Sequence, residues 1–232
     1  EGRKLWGTMV NTTRNLARQI WVTVEENSLQ DRTEKEQALR LIVGFAIATK
    51  LHLRQDKDLS ELHPMLTEKQ YGQLQSMNSP PLEVAFWLGD YLQVQHLRNT
   101  INPYQQRAMV ELLDLMVDVL GGCERILKTP IPMAYSIHLK QLLLIYCLTL
   151  PLQIVGEVGG WCVLVSGLVA FAVFGIEEIG IEIENPFGCD PNDLPLDAIC
   201  QTMERNIKDL MTLTPSVEAD RVRYQRQQNN PV

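Results

Sequence analysis

The chain has 232 residues, 45% of them hydrophobic, with a net charge of −7 and a pI of about 5.2. That size suits one large domain or two small ones, and the acidic balance excludes nucleic acid as the main partner, because phosphate binding needs concentrated Lys and Arg. Five cysteines, Cys123, Cys147, Cys162, Cys189 and Cys200, are odd in number and show no CxxC spacing, so they read as reduced packing residues and not as a disulfide frame or a zinc site.

The pattern along the chain is helical throughout. "EGRKLWGTMVNTTRNLARQIW" places Leu5, Met9, Leu16 and Ile20 near helical spacing, and a helix over about 1–26 is expected. It starts at Glu1 with no start signal before it, so the chain is expected to be a fragment lacking its N-terminal part. After the polar turn "NSLQDRTEKEQ", a helix from about Thr33 to Leu53 carries "ALRLIVGFAIATKL". Asp31 or Thr33 is the expected cap, with Glu36 closing a capping box. This helix is apolar nearly all round, which predicts burial.

Residues 54–81 are polar and predict short helices at best. Pro80-Pro81 opens the amphipathic "PLEVAFWLGDYLQVQHL", and Pro103 opens "YQQRAMVELLDLMVDVLGGCERIL". In the second, Met109, Leu112, Leu113, Met116 and Leu120 follow i, i+3, i+4, i+7 spacing, and Gly121-Gly122 allows a kink. Met9, Met109, Met116 and Met203 all fall at core spacing.

Two apolar runs come next: "LLLIYCLTLPLQIV" at 142–155 and "WCVLVSGLVAFAVFGI" at 161–176, joined by "GEVGG". Each needs its helical flanks to reach the roughly 20 apolar residues that span a bilayer. The pair reads as a transmembrane hairpin or as the buried hairpin of a soluble bundle. Ser166, Gly167, Ala170, Ala172 and Gly175 favour close helix packing in lipid, and Pro151 is easier to place in a membrane bundle. Glu177 and Glu178 follow the second run and face a vestibule, a neighbouring subunit or solvent. The last helix is expected over about Leu194–Leu213, with Leu196, Ile199, Met203, Ile207 and Leu210 on one face and a polar tail after Pro215.

Catalytic signatures are absent: the sequence contains no GxxxxGK[ST], HExxH or GxSxG. His52, His63, His96 and His138 lack metal-ligand spacing, and no nucleophile pairs with a base. The residues therefore point away from an enzyme.

Three stretches in order, "EGRKLWG", "GGCERILKTPIPMAYSIHLKQ" and "IENPFGCDPNDLPLDAICQTMERNI", resemble the bestrophin family in its bacterial and plant-type branch, over essentially the whole chain. The resemblance implies an all-α channel subunit that assembles as a homopentamer in a lipid bilayer and passively conducts chloride or similar anions. It would sit as a multi-pass protein in a bacterial plasma membrane, or in a thylakoid-type membrane of a photosynthetic source. Conduction of monovalent cations is the alternative within the family; a soluble all-helical interaction module is the alternative outside it.

The family has four transmembrane helices per subunit, so two of them and the hydrophobic neck would precede Glu1. The implied division is one bestrophin-like domain fragment over 1–232. Its parts are mainly cytosolic helices over 1–138, a transmembrane hairpin over 139–183, a cytosolic loop and helix over 184–214 and a polar tail over 215–232.

The resemblance also implies site residues. The family narrows the cytosolic end of its pore with the side chain three positions after the Tyr of "IP..Y", here Tyr135, which places His138 at the aperture. Animal members carry a branched aliphatic residue there. Five imidazoles around one axis would form a titratable ring that favours anions when protonated, near pH 6.5 for an ordinary imidazole. The stretch matching the animal calcium clasp holds Glu182, Asn185, Asp190 and Asp193, oxygen ligands suited to calcium, although Pro191 and Asn192 replace two carboxylates of the animal loop. The structural alternative for this loop is a turn at Pro186 and Gly188, Asp193 capping the last helix, and Asp197 in its first turn, where the macrodipole favours negative charge.

Overall fold

A computed structural model describes residues 1–130 and 132–216, with the backbone alone for residue 181. The described residues form α1 (Gly2–Thr23), α2 (Leu29–Leu53), a 3-10 turn (Ser60–Met65), α3 (Glu68–Leu74), α4 (Pro80–Leu97), α5 (Pro103–Lys128), α6 (Met133–Val158), a second 3-10 turn (Gly159–Trp161), α7 (Cys162–Glu182) and α8 (Leu196–Thr212). There is no strand among them. The tail expected from 215 lies, beyond residue 216, outside the described residues.

The chain divides into two compact units, one built from Glu1–Glu124 and from Pro195 onward, the other from Arg125–Leu194. In the first, α2 is the central helix. Leu41 through Leu51 is buried without a break, as its all-round apolar pattern predicts. α1, α4 and α8 pack on it. Met9, Met109, Met116 and Met203 are all buried. α1 joins α8 through the Thr13 hydroxyl, which donates to Met203 Sδ at 3.3 Å, and through Trp21 Nε1, which donates to the Leu213 carbonyl at 2.8 Å.

Boundaries differ from the sequence reading for local reasons. α2 begins four residues earlier than expected because Ser28, not Asp31 or Thr33, is its cap; the Ser28 hydroxyl accepts from Asp31 N. Glu36 pairs with Arg32 one turn back, so the expected capping box does not form. α5 runs unbroken through Gly121-Gly122. Gly122 serves close approach and no kink: a Cβ there would sit 3.1 Å from the Leu5 side chain of α1.

The second unit is the apolar pair α6 and α7. Gly159, at φ +54°, caps α6 and reverses the chain, a conformation that favours glycine. The arms run antiparallel, since residues 135–143 at the start of α6 line one cavity with residues 173–184 at the end of α7. α6 continues through Pro151. The hairpin is not a buried core: α6 buries no residue, and Leu142, Ile145, Leu148, Leu152, Leu168 and Phe171 are all exposed.

Candidate functional site at the mouth of the hairpin

A continuous exposed apolar surface of this kind is foreign to a water-soluble fold and marks contact with lipid or protein. Met133–Gly180 is long and apolar enough to cross a membrane. As one straight rod of 48 residues it would be more than twice the ~30 Å hydrocarbon core; the turn at Gly159 instead gives arms of 26 and 21 residues. The contact stripe on α7 runs through Cys162, Ser166, Val169, Ala170, Val173 and Glu177. Of the small residues expected to mediate packing, Ser166 is buried, while a Cβ on Gly167 or Gly175 would meet open space. Those glycines therefore do not serve the α6–α7 contact.

At the open end of the hairpin, Tyr135, Ser136, Leu139 and Leu143 face Val173, Ile176, Glu177, Gly180 and Glu184 around a cavity of about 260 Å³. Lys140 Nζ lies 3.4 Å from Glu177 Oε1, whose side chain is 10% exposed. Lys140 is the only Lys or Arg between Lys128 and Arg205. Glu178 is exposed.

His138 is exposed, in the second turn of α6. At about 100° per residue, the cavity-lining positions 135, 136, 139 and 143 share one face of α6, and 138 falls beside that face, about 60° from 135. The imidazole is exposed and does not line the cavity.

The loop after α7 closes on itself. Glu182 Oε2 accepts from Asn192 Nδ2 at 2.7 Å, Asn185 Oδ1 from Phe187 N at 3.3 Å, and Asp193 Oδ2 from Asp190 N at 2.8 Å. Leu194 N donates to the Pro186 carbonyl at 2.9 Å, and Phe187 is fully buried. Gly188 leaves room for the Asp193 bond: a Cβ there would lie 2.6 Å from Asp193 Oδ2, so the carboxylate would have to shift. Asp193 thus ties the turn and does not cap α8, whose N-cap is Pro195 with no side-chain bond. The side-chain oxygens of Glu182, Asn185 and Asp193 each accept a hydrogen bond from within the loop, and the Asp190 carbonyl accepts from Asp193 N at 3.0 Å. Among the described residues, no group of three or more His, Cys, Asp or Glu side chains is placed to hold a metal.

In the first unit, the last turn of α2 holds an ionic cluster that periodicity does not reveal. The Lys50 side chain is 3% exposed, bonds Glu61, and lies 2.7 Å from Asp197 Oδ1. Arg54 Nη1 reaches Asp197 Oδ2 at 2.9 Å. His52 Nε2 is 2.8 Å from Glu124 Oε1 on α5. A second cluster joins the end of α1 to α2: Lys35 Nζ lies 2.7 Å from Glu26 and 2.8 Å from the Val24 carbonyl, and Arg32 stacks 4.2 Å from the Trp21 ring. The one sequence signal was Lys50, a cation at the end of an otherwise apolar run, which must find partners once buried; Lys35 lies in polar sequence and gave no such signal.

These features define a helical membrane protein: a helical bundle joined to an apolar hairpin with an acid–base pair at its mouth. The family model described as Bacterial/Fungal Bestrophin protein matches residues 1–209, and the chain belongs to the bestrophin family. It is 63% identical over 219 residues to a voltage-dependent anion channel-forming protein of Nostoc sp., covering 94% of this chain and 71% of that one. A Synechocystis protein of the same description is 58% identical over 93% of this chain and 70% of its own. The crystal structure of a bacterial bestrophin homolog from Klebsiella pneumoniae superposes with a TM-score of 0.84 at 29% identity, covering 93% of this chain and 78% of that one.

Proposed function

We propose that this chain is the pore-forming subunit of a homopentameric channel that passively conducts chloride or similar anions, without catalysis. The observation that carries the reading is 63% identity over 94% of the chain to a protein named as a voltage-dependent anion channel former, combined with an apolar hairpin that leaves most of its large apolar side chains exposed. α6 and α7 each cross the bilayer in this reading, and the membrane is the bacterial plasma membrane or a thylakoid-type membrane.

His138 is proposed as the aperture residue. Its support is the resemblance of the stretch around Tyr135 to the family's aperture motif, together with its exposure in the second turn of α6. A ring of imidazoles supplies donors to a passing anion and gains positive charge on protonation. The loop over 183–194 is proposed as a self-bonded exit turn that works without a resident calcium.

Reversal potential in planar bilayers under a salt gradient, on the full-length protein, tests the reading. A shift toward the chloride equilibrium potential is expected. A shift toward the cation potential overturns the selectivity, and absence of current from intact pentamers overturns the channel.

A further inference from the structure

The first unit is discontinuous: it ends at Glu124, where the chain leaves for the hairpin, and resumes at Pro195, where the chain returns. Both crossings are held by one turn of one helix. Lys50 and Arg54 hold Asp197, two residues after the return, at 2.7 and 2.9 Å. His52, lying between them in sequence, holds Glu124, the last residue before departure, at 2.8 Å. Positions 50 and 54 lie one turn apart and share a face, while 52 points to the other side, so the three residues reach the two crossings in opposite directions.

Partner strength follows from burial. The Lys50 side chain is 3% exposed and Arg54 15%, so their charges are poorly served by water and depend on Asp197 and Glu61. Around this grip lie Cys200, Gln201 and Glu204 of α8 and Pro64 and Met65 of the 3-10 turn. α2 itself is the most buried helix of the unit, so the turn is carried on a rigid support.

We propose that the last turn of α2 is a coupling collar: Lys50, His52 and Arg54 are positioning residues that fix the two points where the chain enters and leaves the membrane hairpin, and so set how freely the pore helix moves. Its consequence for conduction rests on the channel reading above; the collar itself does not.

The test is hydrogen exchange on the full-length protein in lipid nanodiscs, comparing Glu124→Gln and Asp197→Asn with the wild type. Glu111→Gln is the control, since it breaks an exposed pair with Arg107 on the same α5. Loss of either grip is expected to speed exchange about tenfold, a local cost near 1.4 kcal/mol, at 133–138 for Glu124→Gln and at 184–194 for Asp197→Asn. The control stays at wild-type rates, and Asp197→Glu, which keeps the carboxylate, restores slow exchange. Unchanged exchange in both segments, or equal acceleration throughout the first unit, overturns the collar. Single-channel recording of the same variants is expected to show a severalfold change in open probability at unchanged reversal potential; an unchanged open probability overturns the coupling. A wild-type reversal potential away from chloride overturns the selectivity reading and leaves the exchange result standing.

Discussion

Lys50 and Asp197 are 147 residues apart in sequence and 2.7 Å apart in the fold. The pair is asymmetric, with Lys50 almost wholly buried and Asp197 63% exposed. Removing the cation leaves two carboxylates that water can solvate; removing the carboxylates leaves a buried ammonium alone. Lys50→Met is therefore expected to cost at most about 1 kcal/mol, and the double change Glu61→Ala with Asp197→Ala about 3 kcal/mol or more. Thermal midpoints of the detergent-solubilised protein check the order; a greater loss for Lys50→Met would reverse the argument.

The same pair sets an acid limit. The hydrogen bond from Lys50, helped by Arg54 and opposed by partial burial, holds the Asp197 carboxyl below its ordinary value. The unfolded chain then takes up the proton first as pH falls. The stabilisation is complete above the ordinary Asp value of about 3.9 and disappears as pH drops through the lower folded value. Wild type is expected to lose more thermal stability between pH 6 and pH 3 than Asp197→Asn does, and parallel curves would remove Asp197 from the acid response.

His138→Ala is expected to alter conductance and leave the thermal midpoint within the small range of exposed substitutions, about 0.5 kcal/mol. Equal conductance and equal pH response in both proteins would take His138 out of the aperture.

Gly188→Ala drives a Cβ into the carboxylate that holds Asp190 N. Loss of that bond costs about 1 kcal/mol, and the loop around 186–194 should become more open to limited proteolysis. An unchanged cleavage pattern would mean that Asp193 can shift without releasing the turn.

Burial pushes the thiols of Cys123 and Cys200 up to about 12, whereas Cys189 is exposed on the exit loop. Thiolate is the reacting form, so a maleimide at pH 7 should modify Cys189 and spare Cys123 and Cys200 until the protein is denatured. Mass spectrometry of the labelled peptides reads this directly.

Periodicity and hydropathy exposed most of the architecture. Met9, Leu16 and Ile20, or Met109, Leu113 and Met116, line up at helical spacing because each faces one core, and the structure buries them. The hairpin was visible in its apolar runs. Its exposure was not, because an apolar residue reads alike in a core and in lipid. Side-chain competition was harder still. Asp193 sits where a cap would, yet it is taken by Asp190 N, and Ser28 captures the start of α2. The collar pairs, 147 and 72 residues apart, leave no local pattern; only the isolated cation Lys50 in an apolar run hinted at them.

The first unit cannot be finished in the order in which it is made. α1 to α5 leave the ribosome before the hairpin, but α8, whose Leu196, Cys200, Met203 and Ile207 are buried, emerges after it. Until then the side of α2 that receives α8 stands open and Lys50 lacks Asp197. With α6 and α7 crossing the bilayer as proposed, synthesis from the N-terminus places their insertion ahead of closure of the bundle. A ribosome stalled while α8 (Leu196–Thr212) is still inside its exit tunnel should hold an inserted hairpin beside an unsealed, protease-sensitive bundle.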